Sequence, residues 1–128
     1  MIAIDASILV RYIAQDDPEQ SALAARFLEC DLTPEVPGLV TLTALLEMCW
    51  VLSRIYRQDW GAIRGIVAQF LAAPNLVIEQ EKPVIHALAA EAGFADALIH
   101  YGGIGLGAIS TMTFDRKFAR LDGVELLS

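Results

Sequence analysis

The chain has 128 residues, over half of them apolar and about a fifth charged. That composition suits one globular domain with a real core, residues 1–128, and excludes a disordered chain. Sixteen acids against nine Lys and Arg give a net charge of −7. This is the wrong overall sign for binding nucleic acid through charge alone, so either the partner is something else or the acids have a local task, such as holding divalent cations.

The elements alternate between short apolar strands and longer helical periods. "MIAID" reads as a buried strand ending in Asp5, and "ASILVRYIAQ" follows it as a helix. "DDPEQSALAARFLEC" opens a second helix with acids and Pro18 in its first turn. A weak strand is expected near Thr33–Val36. The segment from about Leu39 to Tyr56 reads as a long helix, apolar nearly all round and therefore buried between other elements. "DWGAIRGIVAQFLAA" is helical up to Pro74-Asn75, and "NLVIEQ" is a strand. "EKPVIHALAAEAG" is a helix closed by Gly93, and "FADALIHYGG" is a short helix ending at Gly102-Gly103. "LGAISTMTFD" is a strand running into a turn at Asp115, "RKFARL" is a helical turn, and "VELL" is a final edge strand. Such alternation predicts an α/β sandwich with a mostly parallel sheet.

The uncharged run from Ala97 to Phe114 contains four glycines and a histidine, which fit two short elements better than a membrane span. No basic n-region precedes an apolar h-region, so the expectation is a soluble, cytoplasmic protein without a secretion signal. Cys30 and Cys49 lack any metal or redox spacing and read as small buried hydrophobes. His86 and His100 stand apart from one another and from other zinc-type ligands. Trp50 and Trp60 read as core or interface residues in preference to contacts with RNA bases.

In a parallel sheet, ligands bind beyond the carboxyl ends of the strands. Asp5 and Asp115 follow strands, and Asp96 begins a helix that leads back into the late strand. Each alone is equally well explained as a helix cap. Glu47 is not, because it lies inside a helix with no basic residue three or four positions away. Four carboxylates converging on one cleft would raise one another's pKa values, and hard divalent cations such as Mg²⁺ or Mn²⁺ would compensate them.

At these residues the sequence resembles the PIN-domain ribonucleases, specifically the VapC-type toxins of prokaryotic toxin–antitoxin pairs. "IDASILVRYI" looks like the first strand and helix of that family, "LLEMCWVL" like the segment that supplies its glutamate, "FADALI" like its third acidic motif, and "TFDRKFARL" like its fourth. Order, spacing and total length carry the likeness more than any single motif. Ser7 stands where many members have Asn, and an additional acid that some members carry before the third motif is missing from "AGFAD".

The resemblance implies a three-layer α/β/α fold and metal-dependent endonucleolytic cleavage of RNA. Asp5, Glu47, Asp96 and Asp115 would hold one or two Mg²⁺ or Mn²⁺ ions, with Ser7 and Thr113 in support. Arg116, Lys117 and Arg120 are candidates for phosphate contacts on the RNA substrate. It also implies a homodimer and a small VapB-type antitoxin that blocks the acidic cleft. A housekeeping RNA-processing nuclease is the alternative within the class. A receiver-like phosphoacceptor fits poorly, since "DAS" offers a single acid and no lysine follows "STM" before Lys117. A non-catalytic binding module is a third reading.

Overall fold

The computed structural model describes residues 1–128. The backbone divides into two compact units, Met1–Glu79 and Gln80–Ser128.

The first unit holds β1 (Ile2–Ala3), α1 (Ala6–Ala14), α2 (Pro18–Arg26), β2 (Gly38–Val40), α3 (Leu42–Arg54), α4 (Trp60–Ala72) and β3 (Leu76–Ile78). Its sheet is parallel in the order β1-β2-β3, with Ile2 opposite Gly38 and Gly38 opposite Leu76. A wider turn, Phe27–Asp31, extends α2. Helix α1 packs on α2 and α3, α3 meets α4, and α4 lies against β3. Leu9, Val40, Leu45, Met48, Leu52, Ile63 and Val67 are completely buried.

The start of each helix in this unit is written in its cap. Asp5, Asp17, Thr41 and Asp59 precede α1 to α4 in extended conformation, and each side chain accepts a hydrogen bond from an amide of the first turn. Such caps contribute on the order of 1 kcal/mol each.

Two expectations change here. Thr33–Val36 is not a strand but a closed turn, in which the Val36 amide donates to Thr33 Oγ1 at 3.0 Å and the Thr33 amide donates to the Val36 carbonyl at 3.2 Å. With those groups spent, the strand forms at Gly38–Val40, in residues that overlap the expected start of the long helix. A short apolar run before a helix carries no periodicity of its own, so strand and helix look alike there. Nor is α3 apolar all round: Thr43, Glu47, Trp50 and Arg54 form an exposed stripe, while Ala44, Leu45, Met48, Cys49 and Leu52 are buried.

The second unit holds α5 (Glu81–Ala89), α6 (Phe94–Gly105), β4 (Thr111–Thr113), a 3₁₀ turn at Phe118–Arg120 and β5 (Val124–Leu126). Helices α5 and α6 pack on each other. Strands β4 and β5 pair in parallel as a separate two-stranded sheet. Gly93 does not close α5, which ends at Ala89. It precedes α6 instead, and its carbonyl accepts from the Ala97 amide at 2.9 Å. Helix α6 runs through Gly102-Gly103 to Gly105. Buried His100 places Nδ1 2.8 Å from Thr111 Oγ1, tying α6 to β4. The α/β class with parallel sheets therefore holds, distributed over two sheets.

Candidate active site

Asp5 follows the carboxyl end of β1 and turns the chain into α1. Its Oδ2 accepts from the Ser7 amide at 2.9 Å, so the residue is a helix cap. Hydrogen bonding from the Ser7 side chain, then from the Ser7 amide, holds the Asp5 carboxyl below its ordinary value of 3.8. A carboxylate stabilised in its charged form is a ready oxygen donor, and the exposed Asp5 keeps its other oxygen for a ligand.

Glu47 lies in the second turn of α3, whose N-terminus is set at the same sheet edge by Thr41 after β2 and by Glu79 after β3. Glu79 Oε1 accepts from the Leu42 amide at 2.7 Å. The expectation of a buried Glu47 is corrected: the side chain is exposed. Its desolvation is small, and no compensating cation is needed to make the position tolerable. What singles it out is location. Asp5, Ser7 and Glu47 line one cleft of about 280 Å³, together with Ala6, Val10, Arg11, Val51, Ile55 and Tyr56.

The cleft also contains a cation that is already engaged. Arg11 donates from Nη1 to Asp16 Oδ1 and to the Tyr56 hydroxyl, both at 3.1 Å, and from Nε to Gln20 Oε1 at 2.8 Å. The Tyr56 hydroxyl donates to Asp16 Oδ2 at 2.6 Å. These bonds to Tyr56 first, and the Asp16 charge next, keep the Arg11 guanidinium above its usual value. Arg11 thus spends its charge on fixing the cleft wall across α1, α2 and the end of α3, leaving the two carboxylates without a direct ion pair. In sequence, Asp16 reads only as part of a helix start, and Arg11 and Tyr56 are not among the candidate site residues. The available signal was one arginine in an apolar helix with two aspartates directly after it.

In the second unit, Asp96 is half-buried in the first turn of α6. Asp115 follows β4 and caps the next turn: its Oδ1 accepts from the Lys117 amide at 2.8 Å and from the Phe118 amide at 3.2 Å. Thr113 Oγ1 accepts from the Asp115 amide at 3.0 Å, which fixes the turn that presents the carboxylate. Arg116, Lys117 and Arg120 are exposed around it.

The PIN domain family matches the chain over residues 2–124. The chain belongs to the PIN-domain family. Its parallel sheets and six helices agree with a PIN-like α/β/α fold. No curated protein sequence gives a significant match. PIN domains are generally nucleases, and they generally use divalent metal ions. No helix of this PIN-domain protein is long and apolar enough to cross a membrane.

Within neither unit do three or more His, Cys, Asp or Glu side chains stand together as a metal-binding group. The first-unit cleft nevertheless offers the donor chemistry that Mg²⁺ takes, namely two carboxylates and a hydroxyl, all hard oxygens. Mg²⁺ is commonly held by only one or two carboxylates, with water and substrate phosphates completing its shell. The cysteines do not compete for such a role: Cys49 is buried, with its thiol pushed up to about 12 by burial. Cys30 is exposed, contrary to expectation, because it lies in the turn that extends α2.

Proposed function

We propose that this PIN domain, acting as a single domain over residues 1–128, is a metal-dependent endoribonuclease and the toxin of a VapBC-type pair. The observation that carries the nuclease reading is the cleft that Asp5, Ser7 and Glu47 share at the carboxyl edge of the first sheet. Asp5 and Glu47 would hold Mg²⁺ or Mn²⁺ there, and Asp96 and Asp115 are the remaining candidate ligands for one or two ions. A bound divalent ion lowers the pKa of water and neutralises charge developing on phosphoryl oxygens. The chain's own residues do the positioning. Asp5 is kept ionised by Ser7, and α3 presents Glu47 on a helix anchored by buried Leu45, Met48 and Leu52. Thr113 fixes the Asp115 turn. Arg116, Lys117 and Arg120 are exposed and available to the RNA backbone.

Metal-dependent cleavage of RNA by the wild type, lost in folded Glu47→Gln and Asp5→Asn variants, is the expected result. Full activity in both variants refutes the assignment. The toxin role, cytoplasmic location, homodimer and VapB-type antitoxin are part of the same proposal. They predict a short upstream reading frame whose product binds this chain and silences its RNase activity. Activity that no such product affects would favour an RNA-processing nuclease.

A further inference from the structure

Arg11 is the only cation lining the cleft that it shares with Asp5, Ser7 and Glu47. Arginine favours planar, two-point bonds to carboxylates, and two carboxylates stand in its own cleft. It pairs with neither. Both Nη1 protons go elsewhere, one to Asp16 Oδ1 and one to the Tyr56 hydroxyl, each at 3.1 Å, and the Nε proton goes to Gln20 Oε1 at 2.8 Å. Tyr56 completes the network by donating to Asp16 Oδ2 at 2.6 Å, so both oxygens of Asp16 are occupied. Asp16 is aimed by Gln15, whose left-handed backbone ends α1 and turns the chain toward α2. Tyr56 comes from just beyond α3, the helix that carries Glu47. The Arg11 and Asp16 side chains are 33% and 45% exposed, and an ion pair in that much water contributes little to folding. Stability alone therefore does not account for three partners from separate segments meeting on one guanidinium.

We infer that Asp16 and Tyr56 are positioning residues for the metal site: they hold Arg11 away from Asp5 and Glu47 and so keep both carboxylates open to a divalent cation. The inference rests on the nuclease reading and adds residues that set its metal affinity. The chemistry is competition. A guanidinium on Asp5 or Glu47 occupies oxygens that the ion needs and cancels the charge that attracts it. Asp17 is the other acid whose charge acts on Arg11, but its Oδ1 already accepts from the Gln20 amide as the cap of α2. Without the charge of Asp16, the carboxylates that Arg11 meets in its cleft are Asp5 and Glu47.

The test reads metal binding without turnover. Free Mn²⁺ is followed by electron paramagnetic resonance as the ion is titrated into the 128-residue chain. Asp16→Asn keeps the side-chain shape, loses the charge and weakens Mn²⁺ binding about tenfold, the low end of the range for groups that orient ligands. Tyr56→Phe removes only a hydroxyl and weakens binding in the same direction, by less. Arg11→Gln added to Asp16→Asn restores wild-type affinity, because the competing cation is gone. A merely structural network gives the opposite order, with the double variant binding no better than Asp16→Asn. That order overturns the inference, as does wild-type affinity in both Asp16→Asn and Tyr56→Phe. Urea unfolding in EDTA checks that each variant is folded, and Tyr56→Phe with and without Arg11→Gln makes the same comparison if Asp16→Asn unfolds. Glu47→Gln scores the nuclease reading separately. Mn²⁺ affinity unchanged by Glu47→Gln removes the metal site and, with it, the role of Asp16 and Tyr56. Glu47-dependent binding that Asp16→Asn leaves unaltered removes that role alone.

Discussion

Glu47→Gln separates function from stability. Glu47 is exposed, its side chain makes no hydrogen bond or ion pair, and Thr43 and Val51 are its neighbours four residues away. Its shape is retained by glutamine, so unfolding free energy without metal changes by no more than about 0.5 kcal/mol. Catalysis responds differently if Glu47 is a ligand. Changing groups that only orient metal ligands commonly costs about 10- to 100-fold, so losing a ligand costs at least about 100-fold in kcat/KM, roughly 2.7 kcal/mol of barrier. Metal linkage gives a second readout. An ion at about 100 times its Kd stabilises the wild type by about 2.7 kcal/mol, and the variant loses most of that gain. Urea unfolding in EDTA, unfolding in excess Mg²⁺ and single-turnover cleavage of labelled RNA measure the three quantities. Unchanged turnover together with an unchanged Mg²⁺ effect on stability refutes the assignment of Glu47 as a ligand.

Asp5 has a folded pKa below 3.8, so its contribution to stability is present above that value and is lost as pH falls through the lower folded value. Asp5→Asn, which keeps a capping side chain, is therefore expected to lose less stability than the wild type between about pH 4 and pH 2, as read by urea midpoints. Leu52→Ala removes a completely buried side chain and is expected to cost about 2–5 kcal/mol by urea unfolding. Gly38→Ala would drive a methyl group into Ile4 and to 2.8 Å from Leu32 Cδ1, at the strand paired on both sides. A loss of about 1–3 kcal/mol is expected, and wild-type stability in that variant would contradict the packing described for β2. A thiol reagent at pH 8 should modify Cys30 rapidly and leave Cys49 unmodified until the protein unfolds, because burial holds the Cys49 thiol at about 12. Two fast thiols per folded chain would contradict that burial.

Local chemistry made much of the fold legible. Asp5, Asp17, Thr41 and Asp59 sit one residue before helices that begin where their caps require. Pro18 starts α2, and Pro74-Asn75 closes the α4 segment before β3. The alternation of apolar runs and helical periods was sufficient for the α/β class. The same residue types, placed after strands, also pointed to Asp5 as a site candidate, because a strand that ends in a capped helix leaves its carboxylate at the sheet edge.

Other features depended on partners distant in sequence. Whether Gly38–Val40 is strand or helix was decided by Ile2 and Leu76, which pair on its two sides. The exposure of Glu47 depended on which face of α3 its neighbours cover, and a segment with apolar residues on every side in sequence gives no indication of that. Arg11, Asp16 and Tyr56 meet across 45 residues of chain, so no local pattern announces their network. The sequence by itself determined the starts of α1, α2 and α4, the α/β class and the identity of the candidate acids, because caps and periodicity act over a few residues. Only the tertiary structure decided that Asp5 and Glu47 share a cleft, that Arg11 is spent on its wall, and that Trp50 lies in water beside it. Burial and side-chain pairing are set by surfaces that the chain brings together from far apart.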